Sequence, residues 1–336
     1  MSDKNRQITL AARPKGMPKE SDLKMIETDR PAPGDGDFLV RINYLSVDPY
    51  MRPLMAGGAH GERLKLGSVM PGGAAGRVIQ SRNNRFKEGD VVVGDFGWQE
   101  YAISNGNDVE CFDTSLAPMT TALGVLGMTG MTAYLGLLEI GRPKDGETVF
   151  VTAAAGAVGS TVAQIAKIHG CRVVGCAGSD EKVAYLLGDL RLDAAFNYKT
   201  TSDVPMKLKE TCPFGIDVFF DNVGGPVSDA VFAQINTAAR IVVCGQIDLY
   251  NATESPKGPR LLLTLLARRA RAEGFQVFQF ADRFPEARSK MIEWLRDGKL
   301  THRETIYDGL ESAPKAFIGL FTGANIGKTL VRIVEE

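Results

Sequence analysis

The chain has 336 residues, of which 44% are hydrophobic and 24% charged, and its formal net charge is −1 at pH 7. A chain of this length and composition has room for about two globular domains. Its charge balance gives no reason to expect nucleic acid or an anionic membrane as a partner.

The five cysteines are odd in number and scattered, and no two of them form a Cys-x-x-Cys pair. This usage disfavours a disulfide framework or a zinc knuckle and is typical of a reducing compartment. Residues 1–16 are polar and lack the apolar core of a signal peptide. We therefore expect a cytoplasmic protein.

Residues 1–115 predict mostly β structure. Short alternating runs at Phe38–Ile42, Arg77–Ile79 and Asp90–Val93 are separated by turns rich in Gly, Pro, Asp and Asn. This spacing favours a small, partly open barrel. The alternation returns at Lys328–Val334, so we expect the last segment to rejoin the first domain.

The stretch Ala117–Leu138 carries no charge and superficially resembles a membrane span. It contains four glycines and four threonines, whereas a spanning helix is more continuously apolar. We interpret this stretch as a buried helical connection between two domains.

From Thr120 onwards, short β-rich runs alternate with helical patterns, which indicates an α/β fold with a doubly wound parallel sheet. The predicted strands are Thr148–Thr152, Cys171–Ala177, Asp217–Asp221, Arg240–Gly245 and Gln276–Phe280. The predicted helices include Asp180–Leu187, Pro226–Ile235, Pro259–Arg271 and Pro285–Lys299. We expect residues 1–120, completed by 300–336, to form one domain and residues 121–299 to form the other.

The segment Thr148–Ala177 has the order and length of a dinucleotide-binding βαβ unit. Ala154, Gly156 and Gly159 take the places of the Gly-x-Gly-x-x-Gly turn. Small residues there let the backbone approach a pyrophosphate, and the helix start near Ser160 offers free N–H groups to the anion. The alternative is a glycine-rich turn that only packs a helix on a sheet.

The end of the second strand of this unit bears on the choice of cofactor. In NAD-binding units an acidic residue about 20 positions after the glycines accepts the ribose 2′-OH. Here Gly178, Ser179 and Asp180 stand at that place and Lys182 follows. A hydroxyl with a nearby ammonium suits a 2′-phosphate, which favours NADP(H), with Asp180 as a helix cap. Ribose binding by Asp180 and a solvated Lys182 are the alternatives.

Catalytic zinc needs three protein ligands and an open position. The chain has three histidines, His60, His169 and His302, and none has a ligand-like spacing to a cysteine. We therefore expect no catalytic metal. The nucleophile motif Gly-x-Ser-x-Gly does not occur either.

Taken together, several motifs resemble the medium-chain dehydrogenase/reductase superfamily in its zinc-independent branch. Within that branch the chain resembles the prostaglandin reductase, alkenal double-bond reductase and bacterial curcumin reductase group. The motifs are Leu45–Arg52, Gly124–Tyr134, Ala153–Gly159, Gly178–Lys182, Phe196–Lys199, Phe220–Gly225, Cys244–Asn251 and Asn325–Lys328. Where zinc relatives carry Gly-His-Glu, this chain has Gly72, Gly73 and Ala74.

This resemblance implies a GroES-like β-barrel catalytic domain, a Rossmann domain, bound NADP(H) and a homodimer. It implies that the pyrophosphate lies on the turn Gly156, Ala157, Val158 and Gly159. It further implies that Lys182 and Tyr198 contact the 2′-phosphate, with Ser179 nearby. The other implied cofactor contacts are Asn222, Cys244, Gly245, Gln246, Ile247, Tyr250, Phe275, Val277 and Asn325.

The activity that the resemblance implies is NADPH-dependent reduction of the C=C bond of α,β-unsaturated ketones and aldehydes. Negative charge gathers on the carbonyl oxygen during that reaction, so a donor aimed at the oxygen lowers the barrier. Tyr250 matches the family tyrosine in that position, and Tyr50 is expected in the same pocket, with Asp248 beside it. The cofactor 2′-OH is a third candidate donor. The α-carbon also needs a proton, and water could supply it instead of Tyr250, which would then only pack against substrate. A quinone reductase and a non-catalytic NADPH-binding protein are the alternative functions.

Overall fold

The structure is a computed structural model that describes residues 3–56 and 64–335. The chain divides into two compact units. The first comprises Met1–Gly124 and Glu304–Glu336, and the second comprises Val125–Arg303.

The strands and helices are numbered here in chain order. The strands are β1 (Lys4–Leu10), β2 (Leu23–Asp29), β3 (Phe38–Ser46), β4 (Ala74–Ser81), β5 (Val91–Gly94), β6 (Tyr101–Ser104), β7 (Glu110–Cys111), β8 (Thr148–Val151), β9 (Arg172–Ala177), β10 (Ala194–Asn197), β11 (Ile216–Asp221), β12 (Ile235–Val243), β13 (Arg271–Gly274), β14 (Glu304–Asp308) and β15 (Lys328–Arg332). The α-helices are α1 (Met51–Ala56), α2 (Met128–Leu135), α3 (Ala157–Ile168), α4 (Asp180–Gly188), α5 (Val204–Thr211), α6 (Gly225–Phe232), α7 (Leu262–Arg268), α8 (Phe284–Arg296) and α9 (Ala313–Thr322).

The first unit is built around β3. Over the described residues its sheet has the order β14-β15-β3-β4-β5-β7, and β6 pairs with the first half of β3. Every pairing in this sheet is antiparallel except that of β14 with β15. Phe38, Val40, Ile42 and Leu45 of β3 are fully buried, so the strand forms the centre of the core.

The last strand, β15, pairs antiparallel with the second half of β3. Leu330 lies opposite Ser46, and Arg332 lies opposite Tyr44. The first unit is therefore made from two segments that are far apart in the sequence.

The second unit contains a parallel sheet. In the described part of the chain its order is β10-β9-β8-β11-β12-β13, and every pairing in it is parallel. The strand order reverses between β8 and β11, as in doubly wound nucleotide-binding folds, whose ligands bind outside the carboxyl ends of the strands. The predicted α/β fold class is confirmed.

Most of the predicted strands are confirmed, but the strand expected at Gln276–Phe280 is wrong. Val277–Arg283 forms a 3-10 helix, and the edge strand of the sheet is β13, a few residues earlier. The β-branched and aromatic residues Val277, Phe278 and Phe280 are typical of a strand, whereas β13 is exposed throughout and carries no β-branched residue. The short strand β10, with the sequence Ala-Ala-Phe-Asn, was not predicted.

The uncharged stretch Ala117–Leu138 is not one continuous helix. It contains the 3-10 helix Met119–Leu123, the helix α2 and the first residues of a π-helical turn, Gly136–Gly141. Most of these residues are buried. Within the described residues, every helix is too short or too polar to cross a membrane.

Candidate active site

The turn between β8 and α3 has a shape that requires small residues. Ala153 has a positive φ of 48°, and a Cβ on Gly159 would collide with the Ala153 carbonyl oxygen. Gly156 precedes the helix in an extended conformation and provides no side-chain cap. The first helical N–H groups, at Ala157, Val158 and Gly159, have no partner within the helix because no earlier turn exists. They make a site for an anion of the pyrophosphate type.

Ala154 takes the place of the first glycine of the motif, and its methyl group fits inside the turn region. It is fully buried, and it packs against Gly175 of β9. A Cβ on Gly175 would lie 2.6 Å from the Cβ of Ala154. Glycine at 175 therefore provides the space that the alanine takes.

Ser179 caps the start of helix α4, because its Oγ accepts a hydrogen bond from the Lys182 N–H at 3.3 Å. The prediction that Asp180 caps this helix is therefore wrong. The Asp180 carboxylate instead accepts a hydrogen bond from the Asn197 side chain at 2.8 Å. This bond ties the end of β10 to the start of α4.

Two ammonium groups and a phenol gather at the carboxyl ends of β9 and β10. A Cβ on Gly178 would lie 3.2 Å from the Tyr198 hydroxyl and 3.1 Å from Cε of Lys199. Burial lowers the pKa of Lys182, and the positive charge of Lys199 lowers it further. Burial raises the pKa of Tyr198, which keeps its hydroxyl a donor. Two cations that repel each other beside a neutral donor suit a phosphate group.

Lys199 lies in the motif Phe196–Lys199, but the sequence alone predicts no role for it. Its importance depends on β10, which was not predicted as a strand and which places it beside Gly178.

A hydrogen-bond network joins the carboxyl ends of β8 and β11 at the point where the strand order reverses. The Thr152 hydroxyl donates to Asp221 Oδ1 at 2.9 Å and accepts the Asn222 N–H at 2.8 Å. The Asn222 side-chain amide donates to the Thr152 carbonyl oxygen, also at 2.8 Å. Asn222 is thereby held in one position at the end of its strand.

The loop that follows β12 is tied to the same point. The N–H groups of Cys244 and Gly245 both donate to the Asp221 carbonyl oxygen, at 2.9 and 3.1 Å. A 3-10 turn, Ile247–Leu249, then leads to Tyr250. A Cβ on Gly245 would lie 3.6 Å from the Tyr250 hydroxyl, which therefore lies next to this backbone.

Two groups of this loop, the Tyr250 phenol and the Cys244 thiol, keep their protons at neutral pH. Burial raises the pKa of Tyr250, although a hydrogen bond from the Gln246 backbone lowers it in part. Burial also raises the pKa of the Cys244 thiol, to about 12. Tyr250 is thus a neutral hydrogen-bond donor rather than a base.

Asp248 lies over the start of α6. Its carboxylate takes the space that a side chain at Gly225 would need, and its N–H donates to the Val223 carbonyl oxygen at 3.0 Å. A carboxylate at this place complements the positive end of the helix.

Phe275 and Val277 follow the edge strand β13. The Phe275 ring packs on Gly136, where a Cβ would lie 2.5 Å from its Cζ atom. Val277 is buried.

Tyr50 and Asn325 belong to the first unit. Tyr50 follows β3 and packs against the hydrophobic core of that unit. Burial raises the pKa of Tyr50, and the negative charges of Asp48 and Asp95 raise it further, so its hydroxyl also stays protonated. The Asn325 side chain donates to the Gly327 carbonyl oxygen at 2.8 Å.

Two family models match the chain. One, described as "N-terminal domain of oxidoreductase", matches residues 6–111. The other, described as "Zinc-binding dehydrogenase", matches residues 157–295. The residues present do not fit a zinc ion: among residues 3–56 and 64–335, no three His, Cys, Asp or Glu side chains come together in a group that could hold a metal. His60 lies outside the described residues.

The similar proteins are named as NADP(H)-dependent oxidoreductases or reductases, and the matches cover nearly the whole chain. "Putative NADP-dependent oxidoreductase YfmJ" of Bacillus subtilis is 49% identical over 99% of both chains. "NADPH-dependent curcumin reductase" of Escherichia coli is 44% identical over 99% of this chain and 98% of its own. The crystal structure of CurA from Vibrio vulnificus in complex with NADPH has a TM-score of 0.94 at 43% identity, over 98% of this chain and 100% of that one. The chain therefore belongs to the zinc-independent branch of the medium-chain dehydrogenase/reductase superfamily, in the group of curcumin, prostaglandin and 2-alkenal reductases.

Proposed function

We propose that this protein is an NADPH-dependent reductase of the C=C bond of α,β-unsaturated ketones and aldehydes. Relatives named NADPH-dependent curcumin reductase, prostaglandin reductase and 2-alkenal reductase support the reaction class. One observation carries the choice of cofactor. The charge of Lys199 lowers the pKa of Lys182, and both Lys199 and the Tyr198 hydroxyl lie next to Gly178. Ammonium groups next to a neutral hydroxyl donor suit the adenosine 2′-phosphate, which NADPH carries and NADH lacks.

The second unit holds the cofactor in this proposal. The N–H groups of Gly156–Gly159 bind the pyrophosphate, and the cluster around Lys182 binds the 2′-phosphate. The loop from Cys244 to Tyr250, with Asn222, lies beside the nicotinamide half. The remaining proposed contacts are Phe275, Val277 and Asn325. In domain terms, residues 121–299 bind the cofactor, and residues 1–120 with 300–336 provide the catalytic domain.

The side chains of this protein act on the charge that develops in the substrate. Bound NADPH would supply a hydride for the β-carbon, and the α-carbon would take up a proton from Tyr250 or from water. The Tyr250 phenol donates to the carbonyl oxygen as negative charge gathers there, which stabilises the transition state more than the ground state. Because burial keeps the Tyr250 phenol protonated, this donor persists well above neutral pH. Tyr50 of the first unit is proposed as a further substrate contact, and its hydroxyl also remains protonated.

A parallel assay of two acceptors tests the function. The purified protein is mixed with NADPH or NADH and either 1-octen-3-one or menadione, and the loss of reduced nucleotide is followed by absorbance. We expect rapid oxidation of NADPH by the enone and much slower oxidation of NADH. Faster turnover of menadione would favour a quinone reductase. Tight NADPH binding without oxidation by either acceptor would favour a non-catalytic binding protein.

We further propose that the protein is a homodimer joined through the β13 edge of the parallel sheet. In the single chain every residue of β13 is exposed, and its outer edge has no neighbour among the described strands. Leu262, Leu263 and Leu266 of α7 are 71–80% exposed nearby in the sequence. An unpaired edge next to exposed leucines is an aggregation hazard unless another chain covers it.

The oligomeric state is tested by light scattering on the eluate of a sizing column. The wild type should have the mass of a dimer, and a Leu262→Glu, Leu266→Glu double variant should have the mass of a monomer. The control is Met206→Glu, since Met206 is 52% exposed on α5. A monomeric wild type, or a dimer that survives both changes, would contradict the proposal.

A cytoplasmic location is also proposed. All five cysteines, which lie within the described residues, are free thiols. Free thiols are the rule in a reducing compartment. Fractionation of cells that express a tagged chain should place it with cytoplasmic markers.

A further inference from the structure

The Asp221 carboxylate accepts hydrogen bonds from several groups at the carboxyl end of β11. It is only 3% exposed. Its Oδ1 accepts from Thr152 and Ser228, both at 2.9 Å, and from the N–H groups of Val223 and Gly224 at 3.0 and 3.1 Å. These four contacts fix the turn between β11 and α6.

The other oxygen, Oδ2, makes a contact of a different kind. It accepts a hydrogen bond from the Gln246 side-chain amide at 3.0 Å, across to the loop that follows β12. The same amide also donates to the Gly245 carbonyl oxygen at 3.0 Å. The Gln246 Oε1 atom lies against Gly224, where any Cβ would collide with it and where φ is +74°. The Gln246 amide is therefore clamped between Asp221 and the glycine turn.

Gln246 connects this clamp to Tyr250. The Gln246 backbone hydrogen-bonds the Tyr250 phenol, and the phenol lies next to Gly245. We infer that Asp221 is a positioning residue: by holding the Gln246 side chain, it sets the loop backbone that aligns the Tyr250 hydroxyl. The inference rests on the proposed function, in which that hydroxyl donates to the substrate oxygen. Asp221 itself touches no reacting atom in this account.

The chain offers a matched control at the opposite end of the same strand. Asp217 of β11 accepts the Thr148 N–H at 2.9 Å and the Asn236 side-chain amide at 2.8 Å. Asp217→Asn therefore removes a comparable carboxylate from the same strand without touching Gln246. In Asp221→Asn, by contrast, the new amide faces the Gln246 amide, so that two donors meet.

A double-mutant cycle between Asp221→Asn and Gln246→Met tests the inference. We expect each single variant to lower kcat with an enone by about tenfold or more, because Tyr250 is misaligned. The double variant should be within about threefold of the worse single variant, since both changes break one connection. Asp217→Asn should lower the melting temperature yet leave kcat within about twofold of the wild type. If the kcat losses of the two single variants multiplied in the double variant, the inference would be overturned. An equal kcat loss in Asp217→Asn would also overturn it.

A second readout is independent of turnover. In protein labelled with 3-fluorotyrosine, the ¹⁹F resonance of Tyr250 can be assigned because Tyr250→Phe removes it from the spectrum of eight tyrosines. We expect that resonance to shift in Asp221→Asn and in Gln246→Met, and to stay in place in Asp217→Asn. An unmoved resonance in Gln246→Met would overturn the inference even if Asp221→Asn failed to fold. A wild type without enone activity but with the expected shifts would refute the proposed function alone.

Discussion

The Lys328 ammonium donates to the Asp48 carboxylate at 2.9 Å, and the two side chains are only 4% and 5% exposed. The ammonium also donates to the carbonyl oxygens of Val47 and Thr329, at 3.0 and 3.1 Å. The Ser46 hydroxyl donates to the second oxygen of Asp48. The pair thus binds the last strand of the first unit to the segment after β3, with its polar atoms well satisfied.

Removing one partner of this pair should be costly, because the other charge stays buried. We expect Lys328→Met to lower the free energy of unfolding by about 3–5 kcal/mol, measured by urea denaturation. Lys207→Met breaks an exposed pair with Glu210 on α5 and should change stability little. Equal losses in the two variants would show that the buried pair has no special role.

Loss of the Lys182 charge should reduce the preference for NADPH. We expect Lys182→Met to weaken NADPH binding by about tenfold or more and NADH binding much less, because only NADPH carries the 2′-phosphate. Nucleotide fluorescence titrations of the wild type, Lys182→Met and Lys199→Met provide the comparison. If both nucleotides lost affinity equally, the cluster would not bind the 2′-phosphate.

The preference for NADPH should also depend on pH. The pKa of Lys182 is lowered by burial and then by Lys199, so its charge is lost at a lower pH than that of an ordinary lysine. The charged form of Lys182 binds the 2′-phosphate, so the affinity for NADPH should fall as the pH rises through that lowered pKa. Bound phosphate raises the pKa of Lys182 again, so binding should take up protons at a pH between the pKa values of the free and bound states. Calorimetric titration in two buffers of different ionisation enthalpy measures that uptake, and its absence in the wild type would contradict the assignment.

Removing the Tyr250 hydroxyl should lower kcat without weakening the binding of NADPH. We expect Tyr250→Phe to lower kcat with an enone at least about tenfold, which corresponds to about 1.4 kcal/mol of barrier. The Kd for NADPH should change by less than about twofold. Because the pKa of Tyr250 is raised by burial, the wild-type rate should not fall through loss of this proton between neutral pH and pH values near an ordinary tyrosine pKa. Tyr50→Phe should give the smaller loss, and unchanged turnover in Tyr250→Phe would exclude Tyr250 as the donor.

Gly159 should not tolerate even a methyl group. A Cβ there collides with the Ala153 carbonyl oxygen, so Gly159→Ala must displace the turn that is proposed to bind the pyrophosphate. We expect a stability loss of about 1–3 kcal/mol and weaker binding of NADPH and NADH alike. Gly188→Ala in α4 is the control, since its added Cβ meets no atom within 4 Å other than those of its chain neighbours and its own helix backbone, and alanine favours helix. A stable Gly159→Ala variant with normal nucleotide affinity would refute the role of this turn.

The fold was predictable from the sequence where burial is strong. Thr148–Val151 is fully buried, so its run of apolar residues marked it as a strand. The edge strand β13 could not be found because nothing buries it, and its place depends on pairing with β12, where Arg271 lies opposite Arg240. The β-branched and aromatic residues at Gln276–Phe280 instead predict a strand at the wrong place.

The candidate site was predictable only where backbone shape dictates the residue type. Gly156 and Gly159 reveal a turn, but Asp221 looks like any aspartate that ends a strand. Its role depends on a contact with Gln246 that is distant in the sequence. The cap of α4 shows the same limit at short range, since Ser179 and Asp180 are both good capping residues and only the backbone decides between them.

The way in which β15 completes the first unit affects how the chain can be made. The ribosome releases β3 long before it has synthesised Lys328–Arg332. The edge of β3 at residues 44–46 therefore stays unpaired until β15 has been made. The intervening 125–303 unit has all its strands in one continuous segment and can close first, as domains made from one stretch generally do during synthesis. Nascent chains stalled before β15 would therefore carry a finished nucleotide-binding unit beside an unfinished, chaperone-dependent one. Vectorial synthesis thus imposes an order of assembly that refolding of the full-length chain does not share.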